Sequence, residues 1–536
     1  MNARDVRKLK PINLLLAGLG WAAALALTVA PSWAQLVDKN KAPNTANEGI
    51  KKTLAQEIGA GRGDVMTPDS SMFIINRDPF RAIRRGRQLF QRKFTRAEGQ
   101  GPNVGDGTGD IGTNNAIGAG LTDSCALCHG RPRGSAGSAG NVATQPDSRD
   151  APHLFGLGLK EMLADEITAD LRAIRGQTVT QAVNKGKPVT KGLSSKGISY
   201  GAITAQPDGS VDTSNIHGVD PDLRVKPFFA HGGAFSIRQF VVGALRKEMG
   251  LEAVDGDLLT ASGGGKVTTP SGIVLDGSLD PLDPPVVVGA KDDHDGDGVK
   301  NEIPQSLVDY LEFYLLNYFK PATYRDTTVT QRGRTVFMSV GCGGCHIPNL
   351  VINRDRRVAD VATSYDQLRG IFNSLFATAT PLFNTIPDAS GYPTMKTPLL
   401  QPFQVTNIFT DFKRHDLGPN FYEREYDGTM RTEMMTTALW GVGTTAPYGH
   451  DGRSVNLMEV ILRHGGEAQV VRDTFVHLLD RDQSAVIEFL NSLVLFPPDD
   501  TASTLDPGTP SAPGFPQFGH GSIKLSVLFN DSGDPE

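Results

Sequence analysis

Cys125-Ala126-Leu127-Cys128-His129 and Cys342-Gly343-Gly344-Cys345-His346 are two copies of one pattern, C-x-x-C-H, and they contain every cysteine of the chain. This pattern is the attachment site of a c-type haem. On a turn of helix, residues three apart lie on one face, so both sulfurs can reach the vinyl groups of one porphyrin. The following His129 or His346 then directs its imidazole to the iron as the proximal ligand. The spacing predicts two covalently bound haem c groups.

The four cysteines also suit two thioredoxin-like pairs or one zinc site. Neither alternative accounts for a histidine directly after both pairs with no cysteine left over. The haem interpretation is therefore favoured.

The chain begins with a pattern typical of a secretory signal. Residues 1–34 combine basic residues, an apolar run over 12–30 and a small-x-small cleavage site at Ser32-Trp33-Ala34. An uncleaved membrane anchor is the alternative, because the apolar run is close to a spanning length. Because c-type haems are attached outside the cytoplasmic membrane, we predict a periplasmic protein that has no membrane association after signal removal.

Composition limits the classes of partner. The net charge is -6 with no basic stripe, which excludes nucleic acid as an expected partner. The hydrophobic content of 39% is enough for real cores, and the length allows two to four domains.

A short pattern, Gly-Arg-x-x-Phe, precedes each haem motif, at residues 86–90 and 333–337. It is similar to the first helix of a cytochrome c fold occurring twice. Helical spacing of apolar residues predicts a closing helix over 480–493. An aromatic-rich segment over 307–319 is predicted to be the equivalent closing helix or a linker helix between domains. A polar, glycine-rich stretch over 98–120 is predicted to be a surface loop.

These features predict a mainly α fold with two cytochrome c-like haem domains, long loops and few short strands. The predicted divisions are a signal peptide at 1–34, an N-terminal domain with the reactive haem at 35–300, a C-terminal domain with the electron-transfer haem at 301–496, and an extended tail at 497–536.

Further segments in the same order carry a family resemblance, at residues 149–159, 228–233, 248–250 and 446–453. From residue 84 to 493 the chain resembles the bacterial dihaem cytochrome c peroxidase superfamily. It is closer to the dihaem oxidoreductase family, whose members are described as peroxidases or thiol oxidoreductases.

The resemblance places Glu248 at the distal carboxylate of the peroxidase haem. Peroxide cleavage needs a base that takes a proton from one oxygen and returns it to the other, and a carboxylate can do both. The alternative is a solvated glutamate on a helix surface.

The resemblance also implies a sixth ligand for the second haem, fourteen residues after His450, where this chain has His464. We predict ligation by His346 and His464, which gives a lower potential than His/Met ligation. His415 and a nearby methionine such as Met458 are the other candidates. His415 and His450 also suit propionate partners or polar residues at a haem edge.

Two departures from the peroxidase pattern affect the first haem. Residues 130–150 contain no histidine to cap the first iron, which predicts an open position, with His153, His217 and His231 as other candidate caps. Ala230 replaces the tryptophan that the family places between the haems. Another aromatic, such as Phe228, Phe229 or Trp440, is a candidate for that place.

An acidic loop provides a candidate cation site. Asp293, Asp295 and Asp297 alternate as in the start of a calcium loop, although position twelve lacks the bidentate glutamate of an EF-hand. Asn301 or Glu302 could complete a shorter loop. Dihaem peroxidases hold calcium between their domains, and the alternative is a plain acidic turn.

The favoured function is a dihaem oxidoreductase that reduces hydrogen peroxide with electrons from a small donor cytochrome or copper protein. A second hypothesis is oxygen or peroxide chemistry on an organic or protein substrate, as in related dihaem oxygenases. A third is a non-catalytic dihaem electron carrier. A homodimer is compatible with the resemblance.

Overall fold

The computed structural model describes residues 52–101, 122–129, 149–318, 326–360, 363–366, 370–373, 380–425 and 427–494. The predicted signal segment, the predicted C-terminal tail and most of the predicted loop at 98–120 lie outside these residues.

The described helices vary widely in length. They are α1 Leu54–Ile58, α2 Ser71–Arg77, α3 Pro79–Gln91, α4 Cys125–His129, α5 Leu157–Lys185, α6 Ile237–Met249, α7 Gly256–Ser262, α8 Gln305–Leu316, α9 Thr328–Ser339, α10 Leu457–Arg463, α11 Gln469–Val476 and α12 Asp480–Asn491. Short 3₁₀ turns are Arg96–Glu98, Cys342–Gly344, Pro419–Phe421 and Gly466–Ala468.

The strands are short and are spread along much of the described chain. They are β1 Val189–Ser195, β2 Ile198–Ala205, β3 Val211–Asp212, β4 Lys266–Thr268, β5 Val274–Asp276, β6 Leu350–Ile352, β7 Ala359–Asp360, β8 Thr363–Asp366, β9 Gly370–Asn373, β10 Thr380–Pro381, β11 Phe383–Ile386, β12 Met395–Pro398, β13 Phe403–Val405, β14 Arg414–Asp416, β15 Glu423–Arg424, β16 Met430–Arg431 and β17 Glu433–Met435.

The predicted fold class, mainly α with two cytochrome c-like haem domains and few short strands, is wrong. Helices account for 38% of residues and strands for 16%, in many small sheets. β1, β2 and β3 form one antiparallel sheet, and the other strands pair as β4–β5, β6–β13, β7–β10, β8–β9, β11–β12, β14–β17 and β15–β16. Most of these strands have only two to four residues, which is too short for an alternating pattern, so the sequence does not predict them.

The longest hairpin did carry a detectable signal. Ser195 pairs with Ile198, which leaves Lys196 and Gly197 as a two-residue turn. Both turn residues have positive φ, 51° and 81°, as a type I′ turn requires. A glycine-containing turn between β-favouring segments could have predicted this hairpin.

Two helix pairs explain the repeated Gly-Arg-x-x-Phe pattern. α3 packs on α8, and a Cβ atom on Gly86 would lie 2.2 Å from the Tyr310 carbonyl oxygen. α9 packs on α12, where a Cβ on Gly333 would lie 1.9 Å from the carbonyl oxygen of Ala485. In both pairs the backbones touch where the glycine stands. α8 and α12 confirm helices in the two predicted closing segments.

A buried arginine connects α6 to its neighbours. The guanidinium of Arg238 lies 2.8 Å from Asp255, 3.0 Å from Asp309 and 2.7 Å from Glu312, and all four side chains are fully buried. Burial opposes the charge of Arg238, but the surrounding carboxylates raise its pKa well above its usual value. The start of α6 is thereby fixed to α8 and to the segment that leads into α7.

The division of the chain into domains at residue 300 stays a prediction. Within the described residues, no helix is both long enough and apolar enough to cross a membrane.

We predict that Gly86→Ala and Gly333→Ala each lower the free energy of unfolding by about 1–3 kcal/mol, because the added methyl overlaps a backbone carbonyl. Gly176→Ala is the matched control, since that helical glycine has no atom within 4 Å of the added Cβ. We expect the control to be neutral or stabilising by about 1 kcal/mol. Chemical denaturation of the three variants measures the difference, and equal effects at all three positions would contradict the close-packing explanation.

Candidate functional site

One cavity of about 870 Å³ is lined by both C-x-x-C-H motifs. Its wall includes Cys125 and Cys128 from α4 and Cys342 and Cys345 from the second motif. The cavity therefore brings together the two motifs, which are more than two hundred residues apart in the sequence.

The first motif ends in a histidine with a fixed ring orientation. Nδ1 of His129 lies 2.7 Å from the carbonyl oxygen of Pro152, so this nitrogen donates and Nε2 keeps its lone pair. Burial lowers the pKa of His129, which favours the neutral imidazole that a metal requires. The ring is thus prepared as a ligand through Nε2.

The second motif has the same arrangement on a different backbone. Cys342–Gly344 is a 3₁₀ turn, and Nδ1 of His346 lies 3.0 Å from the carbonyl oxygen of Phe409. Burial lowers the pKa of His346 to about 4, so this imidazole is also neutral. Different local structures therefore present the two histidines in the same tautomer.

The four cysteines form no disulfide, and no candidate metal-binding group within the described residues joins two of them. Burial raises the pKa values of Cys125 and Cys342 to about 12, so both thiols are protonated at neutral pH. Thiols beside an apolar cavity fit thioether bonds to a porphyrin.

His464 is the third imidazole of this kind in the cavity wall. It caps the end of α10, and its Nδ1 lies 2.7 Å from the carbonyl oxygen of Val460, which leaves Nε2 available. His464 and His346 both line this cavity. This geometry suits His464 as the sixth ligand predicted for the second haem.

The other two candidates for that position fit less well. His415 places Nε2 2.9 Å from Asp411 and Nδ1 2.7 Å from Glu467. Burial opposes its charge, but these hydrogen bonds raise the pKa of His415 to about 11, and an imidazolium has no lone pair for a metal. Met458 packs in an apolar cluster and is not among the residues that line the cavity.

The grouping of Cys345, Asp411 and His415 has an electrostatic explanation. One ligand atom from each lies within 4.8 Å of the others. Because His415 is already protonated between carboxylates, the group is an ion cluster beside the second motif rather than a metal site.

Of the three candidate caps of the first haem, His153 is engaged through both ring nitrogens and His217 lies outside the cavity wall. Nε2 of His153 lies 3.1 Å from the carbonyl oxygen of Trp440, and its Nδ1 accepts from the amide of Phe155. His217 is exposed and is not part of the cavity wall. The remaining candidate, His231, lines the cavity.

Glu248 lies in the last turn of α6, where it is half-buried and lines the cavity. Its charge adds to the effect of burial in raising the pKa of Cys128, which places it on the side of the first motif. In the same cavity wall, the rings of Phe228 and Phe229 pack on Phe240 at centroid distances of 5.9 and 5.4 Å. The wall thus includes both a carboxylate and a cluster of phenylalanine rings.

Trp440 is the tryptophan in the described part of the chain, and it lines the same cavity. It is 3% exposed, and its Nε1 is buried without a hydrogen-bond partner in the described residues. Ala230 also lines the cavity. An indole therefore stands in the wall shared by the two motifs, although at a different place in the chain from the family tryptophan.

The acidic loop forms a compact carboxylate cluster with more members than the sequence suggested. Carboxylate oxygens of Asp293, Asp295 and Asp297 lie within 4.8 Å of one another, and so do those of Glu252, Asp295 and Glu302. Glu252 was missed, because about forty residues separate it from the loop. The parallel bridge of Ala253 to Ile303 brings Glu252 beside Glu302, and no local pattern encodes that pairing.

Glu252, Glu302 and Asp293 each have one carboxylate oxygen in a hydrogen bond to a backbone amide and a second oxygen that is not. Glu302 accepts from the amide of Glu252 at 2.7 Å, and Glu252 accepts from the amide of His294 at 3.0 Å. The second oxygens of Glu252, Glu302 and Asp293 are buried and lack a hydrogen-bond partner in the described residues. Burial, reinforced by neighbouring carboxylates, raises the pKa of Glu302 to about 9 and that of Asp295 to about 6.

Both C-x-x-C-H motifs thus lie in the wall of one cavity of about 870 Å³. Residues 356–493 match the family described as "Di-haem oxidoreductase, putative peroxidase". The match confirms the family resemblance predicted from the sequence for this part of the chain, and it supports an oxidoreductase that uses haem.

The similarity to a solved structure is low. A solved chain of Kuenenia stuttgartiensis hydrazine synthase, pressurised with 20 bar xenon, is similar at 16% identity with a TM-score of 0.21. The similarity covers 36% of this chain and 56% of that chain, so just over half the length of the solved chain is spanned. No curated protein sequence matches the chain.

Proposed function

We propose that the protein is a dihaem c-type oxidoreductase that reduces hydrogen peroxide to water with electrons from a small donor cytochrome or copper protein. In the balanced reaction, one hydrogen peroxide, two electrons and two protons give two waters. The observation that carries the proposal is one cavity lined by both motifs, by Glu248 and by three imidazoles whose Nε2 atoms have no hydrogen-bond partner among the described residues.

The residues present fit two haems. Cys125 and Cys128 would hold the first, and His129 would ligate its iron. Cys342 and Cys345 would hold the second, between His346 and His464. When bound, a haem with an open axial position supplies iron that reacts with peroxide or dioxygen, and a six-coordinate haem passes electrons.

The role of Glu248 follows from its place in the cavity. A carboxylate in a partly dry site can take a proton from one oxygen of hydrogen peroxide and return it to the other, which then leaves as water. Phe228, Phe229 and Phe240 form an aromatic part of the wall of the same cavity. Glu248 is therefore our candidate catalytic residue.

The same aromatic wall favours a second candidate function, a dihaem oxygenase or peroxide-dependent oxidase that acts on an organic or protein substrate. An apolar lining binds hydrophobic substrates better than it binds peroxide. The rate at which hydrogen peroxide oxidises a reduced donor cytochrome separates the two functions. A peroxidase should raise this rate, whereas an oxygenase should leave it at the background value.

Localisation and partners remain proposals. We propose a periplasmic protein, supported by the basic and apolar start of the chain and by the confinement of its cysteines to haem motifs. Electrons from the donor would enter at the second haem, and a homodimer is compatible with this arrangement.

We also propose a calcium ion at the carboxylate cluster. Oxygen ligands from several carboxylates are what calcium prefers, and the buried free oxygens of Glu252, Glu302 and Asp293 would gain a partner. Glu252 follows the end of α6 by three residues, so the ion would stabilise the helix end that carries Glu248.

We predict one high-spin and one low-spin haem in the resting oxidised protein. His464→Ala should convert the low-spin centre to high spin, because it removes the sixth ligand, whereas His415→Gln should leave it low-spin. Electron paramagnetic resonance measures both outcomes. Two low-spin centres in the unmodified protein would support the electron-carrier hypothesis instead.

We predict that Glu248→Gln lowers kcat for hydrogen peroxide by about 100-fold or more, because the amide cannot transfer the proton. The matched control is Glu488→Gln, an exposed glutamate on α12. Haem content should be unchanged in both variants. Normal turnover by Glu248→Gln would remove this residue from the mechanism.

We predict that calcium stabilises chelator-treated protein more at about pH 8 than at about pH 5. Because the pKa of Glu302 is raised on folding, the folded state without a cation binds more protons and loses stability as pH rises from about 4.5 to about 9. Calcium at a hundred times its Kd should add about 2.7 kcal/mol.

Thermal unfolding with and without calcium provides the measurement. Glu252→Gln and Glu302→Gln should reduce the response, whereas Asp292→Asn, just outside the cluster, should retain it. An equal calcium response in all variants would argue against this site.

A further inference from the structure

His231 lies on a tightly held loop between β3 and α6. The loop closes through an antiparallel bridge between Phe228 and Ala234. The amide of Met435 donates to the carbonyl oxygen of Ala230 at 2.8 Å, which fixes the residue before His231 to β17. The position of the imidazole in the cavity wall is therefore set by backbone contacts.

Two neighbours shape the space around the ring. Phe229 stacks on His231 at 6.3 Å with an interplanar angle of 17°. The φ of Phe229 is 63°, a left-handed conformation that is costly for a bulky residue and is concentrated at functional sites. A Cβ on Gly233 would lie 2.8 Å from Nε2 of His231, so glycine leaves this edge of the ring uncovered.

The contact with Arg149 determines the tautomer of His231. Nη2 of Arg149 lies 3.3 Å from Nδ1 of His231, and a guanidinium can only donate. Nδ1 is therefore the acceptor. Burial, followed by nearby cations, lowers the pKa of His231 to about 3, so the ring is neutral and its proton is on Nε2.

A buried carboxylate holds Arg149 in place. Glu423 is fully buried and accepts from Nε of Arg149 at 2.5 Å and from Nη2 at 2.8 Å. Such a two-point contact fixes the plane of the guanidinium. Glu423 and Arg149 thus form a chain that ends at Nδ1 of His231.

The resulting Nε2–H group has no hydrogen-bond partner among the described residues. It cannot ligate a metal in this tautomer, which argues against His231 as a cap. It can donate to an acceptor in the cavity. Arg149 pairs with Glu423 and Arg431 pairs with Glu425, so this part of the wall suits a ligand that accepts a hydrogen bond.

We propose that His231 donates a hydrogen bond from Nε2 to a small ligand in the cavity on the Glu248 side, and that Arg149 and Glu423 are positioning residues for it. This inference rests on the proposed function, because it assumes an open position at the first haem. Glu248 would then move the proton, and His231 would hold the ligand oxygen that gains negative charge.

The test is an optical titration of the oxidised holoprotein with fluoride, an anion that accepts hydrogen bonds. We expect His231→Leu to bind fluoride about three- to tenfold more weakly, as the loss of one hydrogen bond implies. His231→Gln keeps an N–H donor and should restore most of the affinity. Glu423→Gln should give an intermediate loss, and His477→Leu, an exposed histidine, should match the unmodified protein.

The outcomes separate this inference from the proposed function. Equal fluoride affinity in the His231 and Glu423 variants would overturn the inference and leave the proposed function intact. A change of the resting first haem from low to high spin in His231→Leu would also overturn it, because His231 would then be a ligand. Failure of the unmodified protein to bind fluoride would contradict the open position itself.

Discussion

The buried charge of Arg238 is the constraint on which the arrangement of the helices depends. A guanidinium with no access to water must keep its carboxylate partners close, since an unpaired buried charge would cost several kcal/mol. Those partners come from α8 and from the segment leading into α7, so α6 cannot shift without separating them. α8 in turn touches the backbone of α3 at Gly86. Because α6 is fixed in this way, the position of Glu248 at its other end is fixed in the cavity as well.

The sequence predicted the helical parts of the fold better than the rest. Gly86 and Gly333 occurred in a repeated pattern, and the apolar spacing of α8 and α12 was visible because both helices are long enough to show a period. The small sheets were not predictable in the same way. A strand such as β7 or β15 has two residues, and its partner is decided by tertiary contacts rather than by local preference. The predicted mainly α class failed for that reason.

The candidate site divides along a similar line. His129, His346 and His464 could be predicted from spacing and resemblance, because the residues of the attachment motif are close together in the sequence. Glu252 and Glu423 could not be chosen, because each acts through a residue distant in the chain. The sequence also left His415 open as a ligand, and its two carboxylate partners, which decide its protonation, become visible only in three dimensions.

Gly86 and Gly333 occupy the same place in two helix pairs that are otherwise dissimilar. A repeated steric requirement at matching positions is the trace expected of an ancestral segment that was copied in tandem and then diverged. The crossing point of each pair tolerates no side chain, because an added Cβ would overlap a backbone carbonyl. In any lineage that descends from this arrangement, these two glycines should be among the last residues to change, later than the groups that determine which substrate is used.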